Sequence, residues 1–478
     1  MKDRVKYDIE RNINFSILSG DMKEKINEGA LCILETLGMR ISGERTLSKF
    51  AERGVLPDKD GLIRIPRAMV ARALEEVPKE LTLYGMDGRP RMTVGSSNNI
   101  YFGTHNDMAE ILDYRTNTAR PMLLEDVALM CKIASNCENI DFVLSVGLAS
   151  DVDPKVQSQL CFIESCKYME KTINFSTNDV GALQEIIDIA AQLAGGREEL
   201  AARPFIFHYC EPIPPLTHPF ESTEKLYVCA ENGIPVVYMP YCMMGGTAPL
   251  DRVTTLAQCF AEILAGLVIT QLVREGAPFI AGAMPSIIDM QTTVASYAAP
   301  EFHLMVAASS EMADYYNLPF YGTAGCSDVR TMDQQSAGEL SYQLLSIMLS
   351  KANIIHDIGL HDHCINVSPA AVVYANELIN AYKSYTRGVT GDVDLDLLRE
   401  VGPAGHHMMT DNTFERFREV WYPEVLTRKR ENPNGSEIMQ RITDKIDAIL
   451  SANPGSKLTE PQLAMLEEKK KEFLARVL

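Results

Sequence analysis

The chain has 478 residues, with 45 basic and 64 acidic side chains, a formal net charge of −19 and 46% hydrophobic residues. That acidic balance excludes a nucleic-acid or anionic-membrane partner, because a phosphate surface is met by clustered Lys and Arg. The length is above that of one ordinary domain and suits an α/β barrel with extensions.

Residues 1–120 read as an N-terminal, mainly helical cap region. The start, "MKDRVKYDIERN", is charged and has no apolar signal-peptide core behind it. In "DMKEKINEGALCILETLG", Asp21 with Glu24 three residues on forms a capping-box pattern. Ile26, Ala30, Ile33 and Leu37 share one face, and Gly38 supplies the stop. Pro66 opens a second helix that ends before Pro78. Short β-prone pieces, "ELTLYG" and "NIYFGTHND", follow.

Residues 121–388 read as a barrel core, in which strand, loop and helix alternate. Strands are expected in 140–148, 171–177, 204–210, 235–243, 278–284, 318–325 and 353–360, each rich in β-branched and aromatic residues. Strands apolar along their whole length, alternating with helices, signal a parallel sheet covered on both faces. Seven such units predict a (β/α)8 TIM barrel, with the eighth strand unplaced; a doubly wound open sheet is the alternative. The run 253–273, "VTTLAQCFAEILAGLVITQLV", has the length of a membrane span. Gln258, Glu262 and Gln271 interrupt it, so a buried helix is expected and no membrane segment. Residues 389–478 read as a C-terminal helical extension, with turn-rich breaks at 432–437 and 452–462 and a closing amphipathic helix. Eleven cysteines, an odd count without CxxC, fit reduced thiols and a cytoplasmic location.

In a barrel the chemistry lies at the carboxyl ends of the strands. Those positions hold His208-Tyr209-Cys210-Glu211, Tyr241-Cys242 before Gly245-Gly246-Thr247, and Ser286. They continue with Tyr321-Gly322-Thr323, Ser327-Asp328 with Arg330, and His356-Asp357. Aromatic rings, neutral hydrogen-bonders and few charges suit a small organic ligand, and a cation against aromatic faces gains about 0.5–2 kcal/mol per contact. Two other chemistries stay open. His361 and His363 of "HDHC" have i, i+2 metal-ligand spacing, which would make a metal-dependent barrel hydrolase. Cys210, Cys242 or Cys326 with a His partner would make a nucleophile. His406 and His407 read as structural or as part of a subunit contact.

Three segments, "GGTAPLDRVTTLAQCFAEILAGLVITQLVREGAPFIAG" (245–282), 295–345 and 352–388, together resemble the trimethylamine methyltransferase (MttB) superfamily. The string Ser327-Asp328…Asp333-x-Gln335…Glu339 carries most of that resemblance. It implies a (β/α)8 enzyme that hands a methyl group from an amine to the Co(I) of a corrinoid (cobalamin) on a separate protein, with no tightly bound cofactor and no metal of its own. Trimethylamine enzymes of the family carry pyrrolysine, whereas every residue here is standard, which points to a quaternary amine donor, glycine betaine first. Such a donor already bears the positive charge, so no general acid is needed. On this reading Asp328, Gln335 and His356 serve catalysis. Tyr101, Phe102, His208, Tyr241, Tyr321 and Arg330 bind substrate, and Gly245, Gly246 and Thr247 open the way for the cobalt. A homo-oligomer is expected, and a non-catalytic betaine-binding protein is the non-enzymatic alternative.

Overall fold

Eight parallel strands close into a ring, each followed in sequence by a helix on its outer side. The computed structural model describes residues 11–95, 98–428, 430, 438–452 and 455–477. The first four units are β1 (Tyr101–His105) with α1 (Leu124–Asn136), β2 (Phe142–Ser145) with α2 (Gln157–Tyr168), β3 (Thr172–Phe175) with α3 (Val180–Ala194), and β4 (Ile206–Cys210) with α4 (Phe220–Asn232). The second four are β5 (Val236–Tyr238) with α5 (Arg252–Val273), β6 (Phe279–Gly282) with α6 (Pro300–Tyr315), β7 (Phe320–Thr323) with α7 (Gln334–Met348), and β8 (Ile354–Ile358) with α8 (Pro369–Thr386). The ring closes where Ile354 and Ile355 of β8 pair with Tyr101 and Phe102 of β1.

Each of the seven expected segments contains a barrel strand. The eighth is β1, inside "NIYFGTHND", so the barrel begins at Tyr101, within the stretch read as cap. Its signal was obscured because an antiparallel pair, Glu110–Leu112 with Ala119–Pro121, intervenes before α1 and breaks the strand–helix rhythm. The closed ring excludes the open sheet.

The N-terminal region packs on α5 and on the amino ends of the strands, and its Arg40–Ile41 pairs with Thr217–His218 in the loop after β4. Helices Gly20–Cys32 and Arg67–Glu76 pack on α5, and the hairpin Leu81–Tyr84/Pro90–Val94 covers the amino ends of the strands, where the Thr93 amide donates to the Tyr101 hydroxyl at 3.0 Å. The first of these helices is capped by Ser19, whose hydroxyl accepts from the Met22 amide, and not by Asp21. Its approach to α5 is close enough that a Cβ on Gly29 would lie 2.9 Å from the Ala257 Cβ. Thus α5 is buried on both sides, which accounts for its apolar length without a membrane. Helix Ile438–Ala452 packs on α8 and α1, and helix Glu460–Ala475, with a Thr459 capping box, on α2. The break expected at 432–437 lies outside the described residues.

One charge is buried with α5. Glu262 accepts the Leu216 amide at 2.9 Å and the Gln258 amide at 3.1 Å, while its other carboxylate oxygen has no hydrogen-bond partner. Burial raises its pKa from 4.5 to about 7. The folded protein then holds this proton to a higher pH than the unfolded chain does. The group therefore costs stability progressively as pH rises from about 4.5 through about 7, up to roughly 3 kcal/mol. Glu262→Gln is expected to raise the melting temperature at pH 8 and to change it little at pH 4.5, as thermal unfolding monitored by circular dichroism would show.

Candidate active site

The barrel interior is built in layers by strand alternation. Phe142, Phe207 and Tyr321 meet across the axis with ring centroids 5.5–6.2 Å apart. Gly103 faces them, and a Cβ there would fall 2.3 Å from the Phe142 ring. The Tyr321 hydroxyl donates to the Asn174 carbonyl oxygen at 2.7 Å, so this aromatic layer is sealed.

Above it, toward the carboxyl ends, lie His105, Tyr209, Thr323, His356 and Asp357. Alternation would send Asp357 outward, because His356 next to it already faces the axis, 4.6 Å from Tyr321 and 5.7 Å from Tyr209. Asp357 instead has φ +74°, at a register shift between β8 and β1, and this bulge turns its carboxylate into the barrel as well. There the Thr323 hydroxyl donates to it at 2.6 Å, His105 Nδ1 lies 2.8 Å away and His356 Nε2 3.2 Å away. Burial pushes the Asp357 pKa up, but His356, His105 and Thr323 outweigh it and leave the carboxyl below its ordinary value. Burial lowers the His356 pKa, opposed by Asp357. Its Nδ1 faces the Gly322 carbonyl at 2.8 Å, an acceptor that fixes the proton on that nitrogen.

The next turn upward is open. Glu211, partly exposed just past β4, receives the Tyr209 hydroxyl. Burial, with the Asp357 charge adding to it, raises the Glu211 pKa from 4.5 to about 6. Tyr241, also partly exposed, stacks on Tyr297 at 6.2 Å and 23°. The mouth is therefore lined by three tyrosines around two carboxylates. On its rim the Gly245–Thr247 turn is closed by the Gly245 amide to the Ala248 carbonyl at 2.9 Å. Gly245, at φ +84°, leaves only 3.0 Å between a Cβ and Ile288, so a side chain does not fit.

The expected site residues are not all brought together. His356, Tyr241 and the Gly245-Gly246-Thr247 rim are at the mouth. Tyr321 forms the floor beneath it. Tyr101 lies at the far end under the hairpin, and Phe102 and His208 project outward from their strands, away from the axis. His208 sits beside Phe175 with its pKa lowered by burial to about 3. Arg330 is on the outer rim, paired with Glu110 at 2.6 Å and Asp362 at 3.0 Å. Gln335 is exposed and donates to Glu339 at 2.7 Å. Period-two alternation would have sorted Phe102 and His208 correctly, since Gly103 and Tyr209 beside them face in. Glu211 was visible at a strand end, but nothing in the sequence told that it faces Asp357.

The other chemistries do not assemble. His361 is buried with Nε2 on the Ser336 hydroxyl at 2.7 Å and Nδ1 on the Gly359 carbonyl at 3.0 Å, so both ring nitrogens are engaged. His363 contacts the Ala295 carbonyl and Asp328 instead. Among the described residues no group of three His, Cys, Asp or Glu side chains is arranged to hold a metal ion. Burial pushes the Cys210 thiol up to about 12, and those of Cys242 and Cys326 well above their ordinary value, so none is a thiolate near neutrality.

A family model described as trimethylamine methyltransferase (MTTB) matches residues 2–473. The chain belongs to that family. It is a methyltransferase on a TIM barrel. The trimethylamine methyltransferase MttB of Desulfitobacterium hafniense (strain DSM 10664 / DCB-2) is 26% identical over 453 residues, covering 92% of this chain and 90% of that one. The glycine betaine methyltransferase of Desulfitobacterium hafniense (strain Y51) is 26% identical over 420 residues, covering 86% and 87%. The crystal structure of the Methanosarcina barkeri monomethylamine methyltransferase (MtmB) superposes with a TM-score of 0.54 at 12% identity, covering 92% of this chain and 90% of that one, a likeness of fold.

The MTTB-like string around Asp328 has a physical reading in this structure. Glu339 accepts the Ser327 hydroxyl at 2.6 Å and the Asp328 amide at 3.1 Å. Asp328 in turn accepts the Tyr297 amide at 2.7 Å, the Ala298 amide at 3.2 Å and the Ser296 hydroxyl. The string thus holds the loop that presents Tyr297 to the mouth. Hydrogen bonds to a charged acceptor are worth about 1.5–3 kcal/mol each. Asp328→Ala is expected to raise the donor KM by roughly tenfold or more and to speed amide exchange at 295–298. Asp328→Asn should recover part of both. Unchanged exchange at 295–298 in the alanine variant would remove this role.

Proposed function

We propose that the enzyme takes a methyl group from a quaternary amine and delivers it to the Co(I) of a corrinoid carried by a separate protein. The observation that carries this reading is a mouth with two carboxylates and three tyrosine rings but no nucleophile of its own. Aromatic faces attract a quaternary ammonium, and they do so more strongly where water is excluded. Glu211 and Asp357 supply the counter-charge, with Tyr209, Tyr241 and Tyr297 as walls. When bound, the Co(I) corrinoid supplies the nucleophile.

The chain's residues then have three tasks. They hold the ammonium with one methyl directed outward, exclude water from its flanks, and leave the approach opposite the leaving nitrogen clear at Gly245-Gly246. Loss of a methyl cation equivalent leaves a neutral tertiary amine, so no proton needs to move. Charge on the donor is neutralised in the step, and a dry pocket favours that change over an aqueous one. His356, with its Nδ1 proton turned to Gly322, packs beside Asp357 and takes no part as an acid.

A partner protein at the mouth is supported by the rim. Leu148, Ile213, Leu250, Met290, Val294 and Ile365, from the loops after β2, β4, β5, β6 and β8, are all exposed. Apolar side chains ringing an opening mark a docking surface. Glycine betaine is the first donor to test, with trimethylamine, carnitine and other betaines beside it.

Anaerobic mixing of the enzyme with Co(I) cobalamin and each donor is expected to bleach the Co(I) absorption with one quaternary amine. Absence of bleaching with every donor, repeated with a corrinoid protein present, would overturn the reading. With the active donor, kcat/KM is expected to fall as pH drops through about 6, where Glu211 takes up a proton. Glu211→Gln should flatten that limb and raise KM roughly tenfold.

A further inference from the structure

A surface remote from the mouth remains unexplained by methyl transfer. Between Val389 and Tyr422 the chain forms an arm with helices Leu395–Val401 and Asp411–Arg416 and two single turns. Its ends are fixed. The Asn12 amide donates to the Thr386 carbonyl at 2.9 Å at the end of α8, and Trp421 Nε1 donates to Asn380 at 2.9 Å where the chain returns along that helix. Between those anchors, no apolar residue is buried, and helix Asp411–Arg416 packs on the two single turns that flank it.

Of the 22 exposed large apolar side chains among the described residues, ten lie in this arm. They include Met408 (80% exposed), Met409 (87%) and Phe414 (76%), with Phe417 6.5 Å from Phe414. Helices of six and seven residues are marginal in water by themselves, and an exposed patch of this kind marks a contact surface. The ten side chains together offer on the order of 1,000 Å², against about 800 Å² per partner in a stable protein–protein contact.

Which partner covers it follows from position. The arm leaves the body at the carboxyl end of α8, and in a β/α barrel that end lies opposite the mouth. A protein delivering a methyl acceptor must reach the mouth, which has its own apolar rim. We propose that the arm is the contact between copies of this chain, a self-complementary surface in which Met408, Met409, Phe414 and Phe417 of one copy are covered by a second. His406 and His407, both exposed on the same arm, lie at that contact. The arm carries seven acidic and three basic residues on a chain of net charge −19, so the contact is apolar in origin and salt strengthens it by screening repulsion.

The test is solution mass by light scattering on the full chain, beside a Phe414→Glu/Phe417→Glu variant. The wild type is expected at a multiple of 53.1 kDa and the variant at one chain mass, with its circular dichroism and donor-dependent Co(I) bleaching retained. A wild type that is monomeric at micromolar concentration overturns the proposal. So does a variant that keeps the wild-type mass, including one that keeps it and loses a corrinoid protein. Should the variant not fold, hydrogen exchange of the wild type decides. Amides at 395–420 are expected to exchange at least tenfold faster on dilution, and a rate independent of concentration overturns the proposal.

Discussion

The site depends on one buried anion. Asp357 sits on the barrel axis because a left-handed residue in β8 defeats strand alternation and turns two successive side chains inward. An unpaired carboxylate there would be neutralised by protonation. It stays ionised because Thr323 donates to it and His105 and His356 flank it. Above it, Glu211 is raised to about 6 chiefly by its own burial, with the Asp357 charge adding to the shift. Two carboxylates with pKa values pushed apart are the usual mark of an acid and a base. In this mouth they are better read as a permanent anion and one that titrates near pH 6, facing, on the proposed function, a ligand that is itself a cation.

The same burial that protects Asp357 silences the protein's own nucleophiles. Cys210 and Cys242 belong to the sheet's outer face or to the α5 interface, and Cys326 lies close to the Asp357 charge, which opposes a second negative group. None of these three thiols is a thiolate near neutrality. On the proposed function the nucleophile comes from outside, and the open Gly245-Gly246 turn suits a site that receives a reagent.

Seven of the eight barrel strands were legible because a strand buried on both faces is apolar throughout, and local hydropathy reports that directly. β1 was missed for the same reason in reverse. It contains Gly103, Thr104 and His105, residues chosen for the space and chemistry of the interior, and a hairpin follows it where a helix was expected. The candidate site was half legible. Tyr241, His356 and the glycine rim are named by their place at strand ends. Tyr297 is not, because it comes from the loop after β6 and reaches the mouth only through Asp328, 31 residues on. Asp328 itself stands out in the family string, yet its carboxylate is spent on that loop. A sequence pattern marks that a residue is needed and leaves open whether it touches the ligand or holds the residue that does.

The two apolar surfaces have different consequences for a protein of net charge −19. Copies of so acidic a chain repel at long range, and repulsion of that kind suppresses accidental association while leaving a large apolar contact available at short range. The rim at the mouth is a ring of single side chains from separate loops, which suits a partner that arrives and leaves. The arm concentrates ten apolar side chains in one stretch anchored at both ends, which suits a contact that persists. Placing the persistent contact at the carboxyl end of α8 keeps every mouth free in an assembly. Were the arm instead at the mouth end, each copy would compete with the methyl acceptor for the opening it must enter. The separation of the two surfaces along the barrel axis is therefore a condition for an oligomer of this enzyme to turn over at all of its sites.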